Sequence, residues 1–270
     1  MRPLRLAIAG LGAIGLEVAR RVDRGAIAGI ELVGACVRDA DKARCRLAGF
    51  RTPPRLLAVE ELADEADVVV ECVPGEHFLA VAEPTIRRGR SLIPLSVGAL
   101  LDHMYLIDLA RETGARILVP SGAILGLDAV RAVTEGEVGS IRLVTRKPPA
   151  ALAGAPYLVE KGISPEDIKD PLLLFTGSAR DAVRGFPANL NVSAALALAG
   201  IGPDRTEVQV WADPRVSRNT HTITVTSDSS DLTMTIENIP SPENPRTGVI
   251  TALSVIAALR RLTAPLVIGS

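Results

Sequence analysis

One stretch near the N-terminus limits the folds open to this chain more than any other. Leu4–Ala9 is a short apolar run of the kind that forms a buried strand, and it leads directly into Gly10-Leu11-Gly12-Ala13-Ile14-Gly15, a G-x-G-x-x-G. Gly10 lets the chain leave the strand in a tight turn. Gly12 lets backbone approach a pyrophosphate, and Gly15 lets the next helix sit close to the sheet. That helix, with Ile14, Val18 and Val22 on one face, aims its N-terminal N–H groups and positive dipole end at the phosphates, beginning at Ala13 and Ile14. A strand-to-helix turn also uses glycines for steric reasons alone. Here the strand–turn–helix context favours a dinucleotide.

The rest of the composition agrees with such a scaffold. Hydrophobic residues make up 47% of the 270, yet aromatics only 3%, so the core is built from Ala, Val, Leu and Ile, as suits parallel strands buried on both faces. A formal net charge of -1 gives no electrostatic case for nucleic acid or a membrane surface. The three cysteines, Cys36, Cys45 and Cys72, are too few and too scattered for a disulfide framework or a zinc cluster, and they read as small core hydrophobes in a reducing compartment. No metal is expected. No signal-like segment opens the chain and no apolar run approaches roughly 18 residues, so a soluble, cytoplasmic protein is expected.

Strands and helices alternate at short spacing from residue 4 to 119. Strands are expected at Ile30–Val37, Asp67–Cys72, Ser91–Leu95 and Arg116–Val119, and helices over Asp39–Leu47, up to about Arg88, and over Leu101–Thr113. This is the pattern of a doubly wound parallel sheet of Rossmann type. Ligands bind beyond the carboxyl ends of its strands, which makes Val73–Gly75 and Ser96–Ala99 candidates to line a cofactor. At the end of the second strand, an acidic residue binds ribose hydroxyls whereas an arginine accommodates a 2′-phosphate. Arg38 and Asp39 stand side by side there, which leaves NAD and NADP both open; Asp39 also fits as a cap for the next helix.

From Pro120 the pattern changes to that of an α+β substrate domain. A strand is expected at Ile141–Thr145, a long loop over 148–171, a helix near Ser178–Arg184, and another at Asn191–Ala199. Three alternating runs, Glu207–Ala212, Thr220–Thr226 and Asp231–Ile236, suggest an antiparallel sheet. A last helix, Gly248–Arg261, is apolar on nearly every side and should be buried against the first domain. The expected division is residues 1–119 plus 246–270 for the dinucleotide domain and 120–245 for the substrate domain. Substrate would meet nicotinamide in a cleft between them.

Such a domain needs a group that handles protons, and histidines are scarce. His103 reads as a surface residue, and His77, opening a helix at a strand end, either touches cofactor or caps. His221 lies in Ser217-Arg218-Asn219-Thr220-His221, at the polar entry to a strand. There it serves either as a hydrogen-bonded strand-end residue or as a proton acceptor or water activator, for which an imidazole near its ordinary pKa is suited.

The chain resembles the L-aspartate dehydrogenase family over essentially its whole length. The resemblance is carried by Gly10–Gly15, Ser96-Val97-Gly98-Ala99-Leu100, Pro120-Ser121-Gly122-Ala123-Ile124, Thr145-Arg146-Lys147-Pro148-Pro149, Phe175-Thr176-Gly177-Ser178-Ala179-Arg180, Phe186-Pro187-Ala188-Asn189-Leu190-Asn191-Val192, Ala212-Asp213-Pro214, Arg218-Asn219-Thr220-His221, and Pro240-Ser241-Pro242-Glu243-Asn244-Pro245. The first is shared by many dehydrogenases; the others, in this order and spacing, are specific. The resemblance implies that His221 is the active-site histidine and that Ala123 and Asn189 contact the cofactor, with Asn191 as second choice. It implies oxidation of L-aspartate with NAD or NADP to iminoaspartate, which is hydrolysed to oxaloacetate and ammonia or passed on toward NAD synthesis. A dicarboxylate needs cationic partners, for which Arg146, Lys147 and Arg218 are candidates.

Two departures from the family pattern stand out. Thr222 follows the histidine where an acidic residue is usual, although its hydroxyl is still able to donate a hydrogen bond. The turn Val73-Pro74-Gly75-Glu76-His77 also replaces a small polar turn. They keep open a different amino acid, imine or oxo acid as substrate, and, from another class, a catalytically silent dinucleotide-binding sensor. The apolar-faced β-runs between 207 and 236 suggest pairing in a homodimer.

Overall fold

The computed structural model describes residues 2–244 and 247–269; Pro245 and the expected domain boundary at 245/246 lie outside them. The chain divides into two compact units, residues up to Pro120 with Thr251–Val267, and Ser121–Ile250 with the chain's end from Ile268.

In the first unit, β1 (Leu4–Ala9), α1 (Ala13–Asp23), β2 (Ile30–Cys36), α2 (Ala40–Leu47), β3 (Arg55–Leu56), α3 (Leu62–Glu65), β4 (Val68–Glu71), α4 (Phe78–Arg87), β5 (Ser91–Pro94), α5 (Val97–Leu100), α6 (Tyr105–Thr113) and β6 (Arg116–Ile117) follow one another. The strands pair in parallel in the order β3-β2-β1-β4-β5-β6. This is the doubly wound order in which the chain reverses direction between β1 and β4, beside the glycine turn. Because both faces are covered, β1 feeds two cores. Leu6 and Ile8 join Val18 and Val22 of α1 and Val68 and Val70 of β4 on one side, and Ala7 and Ala9 join Val69, Leu62 and Val81 on the other.

Two expectations here are corrected. β3 was not anticipated, because two residues are too short to show a period; Arg55 and Leu56 nonetheless pair with Gly34 and Ala35. The helix expected from Leu101 starts only at Tyr105. Leu101, Asp102 and His103 donate to carbonyls three residues back, a tight 3₁₀-type turn that ends α5 before α6 begins.

The second unit runs α7 (Leu127–Val133), β7 (Val138–Lys147), α8 (Pro156–Glu160), β8 (Leu172–Ser178), α9 (Ala179–Gly185), α10 (Asn191–Ala199), β9 (Glu207–Ala212), β10 (Thr220–Ser227) and β11 (Leu232–Glu237). Its sheet order is β11-β10-β7-β9-β8. Of the three late runs, β10 and β11 pair antiparallel as expected, but β9 does not join them directly. The ten-residue β7 takes the centre and separates β9 from β10, pairing antiparallel with β10 and parallel with β9, so the sheet is mixed. β8 was not anticipated either. A register shift between Leu173 and Phe175 places only Leu174 inside and erases the alternation that marks a strand. The expected long loop over 148–171 instead contains helical turns at Pro149–Leu152, Pro156–Glu160 and Pro165–Asp167, each opened by a proline whose missing N–H suits the first helical position.

The last helix, α11 (Val249–Thr263), places Val255, Ile256 and Leu259 in the core of the first unit with Leu6 and Ile8. Val249 and Leu253 are exposed, so it is not buried all round. Of the cysteines, all free, Cys45 is exposed rather than in the core.

Candidate active site

In the first unit each glycine of the turn meets a different surrounding. Gly10 has φ +95° and donates its N–H to the Cys36 carbonyl at 2.8 Å; a Cβ there would lie 2.6 Å from the Cys72 carbonyl oxygen. A Cβ on Gly15 would lie 2.0 Å from the Gly10 oxygen, so Gly15 is required for packing. Gly12 is exposed, and nothing lies within 4 Å of where its Cβ would be. It is also the N-cap of α1, and no side chain caps that helix. Open space in front of an uncapped helix start of 11 residues fits a pyrophosphate, so the cradle suits a dinucleotide. Ala13 and Ile14, half-buried, form the first turn.

At the end of β2, Asp39 caps α2, its carboxylate accepting the Lys42 N–H at 2.9 Å. Arg38 beside it is exposed and has no partner among the described residues. From α2, Arg46 donates to the Leu11 carbonyl at 2.7 Å, which ties this helix to the glycine turn. Sequence reasoning passed over Glu71, at the carboxyl end of β4. It is fully buried, and its carboxylate accepts from the N–H groups of Val73, Leu95 and Ser96 and from the Ser96 hydroxyl. Burial raises its pKa and these hydrogen bonds oppose the rise. The signal was an acid closing an otherwise apolar strand, Val68-Val69-Val70-Glu71.

His77 is exposed, 3.6 Å from Glu76. His103, expected on the surface, is half-buried, its ring stacked on Phe78 with centroids 6.2 Å apart.

In the second unit, β10 carries His221 into the sheet's covered face, where it is 1% exposed. It pairs with Thr145 of β7. Side chains two apart on a strand share a face, so Ile141, Leu143, Thr145 and Lys147, all buried, line the same side. Lys147, 4% exposed, therefore stands diagonally from His221. Burial, and then the Lys147 charge, push the imidazole's pKa down to about 3; burial pushes the Lys147 ammonium down to about 8. The imidazole, expected near its ordinary pKa, is instead neutral throughout the range in which proteins work. His221 Nδ1, Thr145 Oγ1 and Asn238 Oδ1 are buried without a hydrogen-bond partner.

The other candidates are placed as follows. The Ala123 carbonyl accepts Asn238 Nδ2 at 3.0 Å, and Asn189 donates through Nδ2 to the Ala151 carbonyl at 3.1 Å. Asn191 opens α10. Arg146 lies on the opposite face of β7 from His221, pairing with Asp213 at 3.3 Å and lying 4.5 Å from the Trp211 ring centroid. Arg218 is exposed. The Thr222 hydroxyl does not serve the imidazole: it hydrogen-bonds Thr235 at 3.2 Å across to β11. Neighbouring residues of a strand point to opposite faces, so a carboxylate at this position would likewise turn away from the ring.

Among the described residues, no group of three or more His, Cys, Asp or Glu side chains is placed to hold a metal, and no helix is long and apolar enough to cross a membrane.

Residues 128–262 match the family model for the C-terminal domain of aspartate dehydrogenase, and residues 10–120 match that for the NAD-binding domain of homoserine dehydrogenase. The chain is 52% identical over 267 residues to an L-aspartate dehydrogenase of Bradyrhizobium diazoefficiens, covering 99% of this chain and 94% of that one. It is 51% identical to L-aspartate dehydrogenase 3 of Bordetella bronchiseptica, covering 99% and 98%. Among solved structures, the aspartate dehydrogenase of Thermotoga maritima superposes with a TM-score of 0.76 at 24% identity, covering 98% of this chain and 99% of that one, which establishes a shared fold.

Proposed function

The chain belongs to the L-aspartate dehydrogenase family, and from that premise we propose that it oxidises L-aspartate with NAD or NADP to iminoaspartate, which water converts to oxaloacetate and ammonia, or runs the reverse amination. The nicotinamide, when bound, supplies the acceptor for the hydride leaving Cα. Gly10, Gly12, Ala13, Ile14 and Gly15 cradle the dinucleotide's phosphates, with Arg38 at its ribose end and Ala123, Asn189 and Asn191 as further contacts. We assign residues 1–119 plus 246–270 to cofactor and 120–245 to substrate.

His221 accepts a proton from the substrate ammonium, or from the water that adds to the imine. Two features of the chain keep it ready for this. Burial in the sheet face, and after it the Lys147 charge, keep the imidazole unprotonated in the free enzyme; a substrate anion beside Lys147 offsets that charge and favours the imidazolium as the proton arrives. The observation that carries the reading is this buried, neutral imidazole with an unpartnered nitrogen, inside the segment matching the aspartate dehydrogenase C-terminal domain. Loss of the usual acid at position 222 leaves the reading intact, since Thr222 faces away from the ring. We further propose a homodimer working in the cytoplasm, a compartment that suits the three free thiols.

NADH or NADPH formation with L-aspartate tests the assignment. The expected result is turnover that falls by about 10²- to 10⁴-fold in His221→Ala. Turnover unchanged by that substitution removes His221 from the mechanism.

A further inference from the structure

We propose that the Lys147 ammonium receives a carboxylate of the substrate on the sheet face it shares with His221; this rests on the dehydrogenase reading above. Three observations converge. Lys147 is buried, and among the described residues no carboxylate pairs with it, although moving an ammonium out of water without a counter-charge is strongly unfavourable. Asp213, whose backbone N–H donates to the Lys147 carbonyl at 2.8 Å, is already engaged: its carboxylate pairs with Arg146 and accepts the Arg215 N–H at 2.9 Å. The chain thus leaves a positive charge inside its sheet face and supplies no anion for it.

The neighbouring polar atoms are unsatisfied in the same way. Thr145 Oγ1 and His221 Nδ1, on paired residues, have no hydrogen-bond partner. Native folds rarely leave such groups unpaired unless something else completes them. An acidic amino acid supplies the complement, with a carboxylate for the ammonium and the Thr145 hydroxyl and an amine for the imidazole. The other two cations considered for this task are disposed differently, Arg146 on the far face with Asp213 and Trp211, and Arg218 in solvent. Lys147 therefore acts as a substrate-binding residue beside the proton acceptor.

The test uses the NADH-loaded enzyme and succinate, a dicarboxylate that cannot react, titrated by calorimetry against wild type, Lys147→Met and Lys147→Gln. Unchanged NADH affinity and a cooperative urea transition at or above the wild-type midpoint certify that each variant is folded, since removing a buried uncompensated charge does not destabilise. A charge-assisted contact of this kind predicts succinate binding weakened by about 10- to 100-fold in both variants, with the KM for aspartate raised by a similar factor and kcat changed much less. L-asparagine, which lacks only the side-chain carboxylate, identifies which carboxylate is held: if it is the side-chain one, the discrimination between aspartate and asparagine collapses in the variants, and if it is the α-carboxylate, the discrimination is retained while both KM values rise. Succinate affinity and KM within about threefold of wild type in both folded variants overturn the proposal. The two readings fail separately. An enzyme that binds succinate through Lys147 but never oxidises aspartate removes the proposed reaction alone, and aspartate turnover with an unchanged KM in the variants removes the lysine alone.

Discussion

The Glu71 carboxylate accepts both the backbone N–H of Ser96, at 2.9 Å, and the Ser96 hydroxyl, at 3.1 Å. It thereby joins the carboxyl end of β4 to that of β5. Ser96 also donates to the Val73 carbonyl at 2.8 Å, so the segments after both strands are fixed to one buried anion. These are the segments that line the ligand crevice in a doubly wound sheet.

Glu71→Gln is nearly isosteric but turns an acceptor-only group into one with an N–H₂ end, which meets N–H donors on every side. We expect a loss of about 2 to 3 kcal/mol in urea unfolding and weaker NADH binding. Ser96→Ala, which removes one hydroxyl and keeps the backbone contact, should lose about 1 kcal/mol. Variants matching wild type in both measurements would mean that the carboxylate does not hold the two strand ends.

Gly12 and Gly15 should separate binding from packing. Gly15→Val drives its side chain into the Gly10 carbonyl and is expected to give insoluble or unfolded protein. Gly12→Val places its side chain in open space, and we expect a urea midpoint close to wild type with NADH binding reduced beyond calorimetric detection. Full NADH affinity in a folded Gly12→Val would place the pyrophosphate elsewhere.

Two buried bases with lowered pKa values give pH signatures of the same sign in separate windows, stability rising with pH in each. His221 has a folded pKa of about 3, below its unfolded value, so its contribution is intact above roughly pH 6.5 and stability is lost as pH falls from there toward 3. The urea midpoint of wild type should therefore drop between pH 7 and pH 5 by more than that of His221→Phe. For Lys147, held at about 8 in the fold, the buried ammonium is unfavourable at low pH; stability rises as pH passes 8 toward the unfolded value. Aspartate affinity should move the other way, KM rising by up to about tenfold per pH unit above 8 as the ammonium is lost. A KM flat from pH 7 to 10 would contradict this.

At the ribose end, Asp39 spends its carboxylate on the Lys42 N–H while Arg38 stands exposed without a partner. A guanidinium in that position favours the 2′-phosphate of NADP. We expect 2′,5′-ADP to bind more tightly than 5′-ADP in wild type, and Arg38→Asp to shift the ratio toward the unphosphorylated nucleotide by about tenfold or more. Equal affinities in both proteins would show that Arg38 does not touch the ribose.

The parallel sheet was readable because each long strand is predominantly apolar and is followed by a glycine turn or a periodic helix. β3 and β8 escaped, the first being two residues long and the second losing its alternation at a bulge. The mixed order of the second sheet escaped for a different reason: strand adjacency is set by β7 lying between β9 and β10, a long-range fact that local pattern does not carry. His221 stood out as a scarce imidazole among polar neighbours. Its depth did not, since Thr220-His221-Thr222 reads as a strand entry near solvent. Lys147 looked like one of three equivalent cations until the two-residue spacing from Thr145 placed it on the covered face and Arg146 on the other. The role of Glu71 was hidden because, although an acid closing an apolar strand is a signal, two of its backbone donors, Leu95 and Ser96, come from the turn after β5, 24 and 25 residues on.

The seating of Val255, Ile256 and Leu259 against Leu6 and Ile8 bears on how the molecule is made. β1 shares its core with α11, which follows it by more than 200 residues, so during synthesis the parallel sheet has an apolar face uncovered until residues 249–263 are made. Maturation of the nucleotide-binding half must await the emergence of α11, and a nascent chain stalled before residue 250 is expected to engage chaperones instead of cofactor.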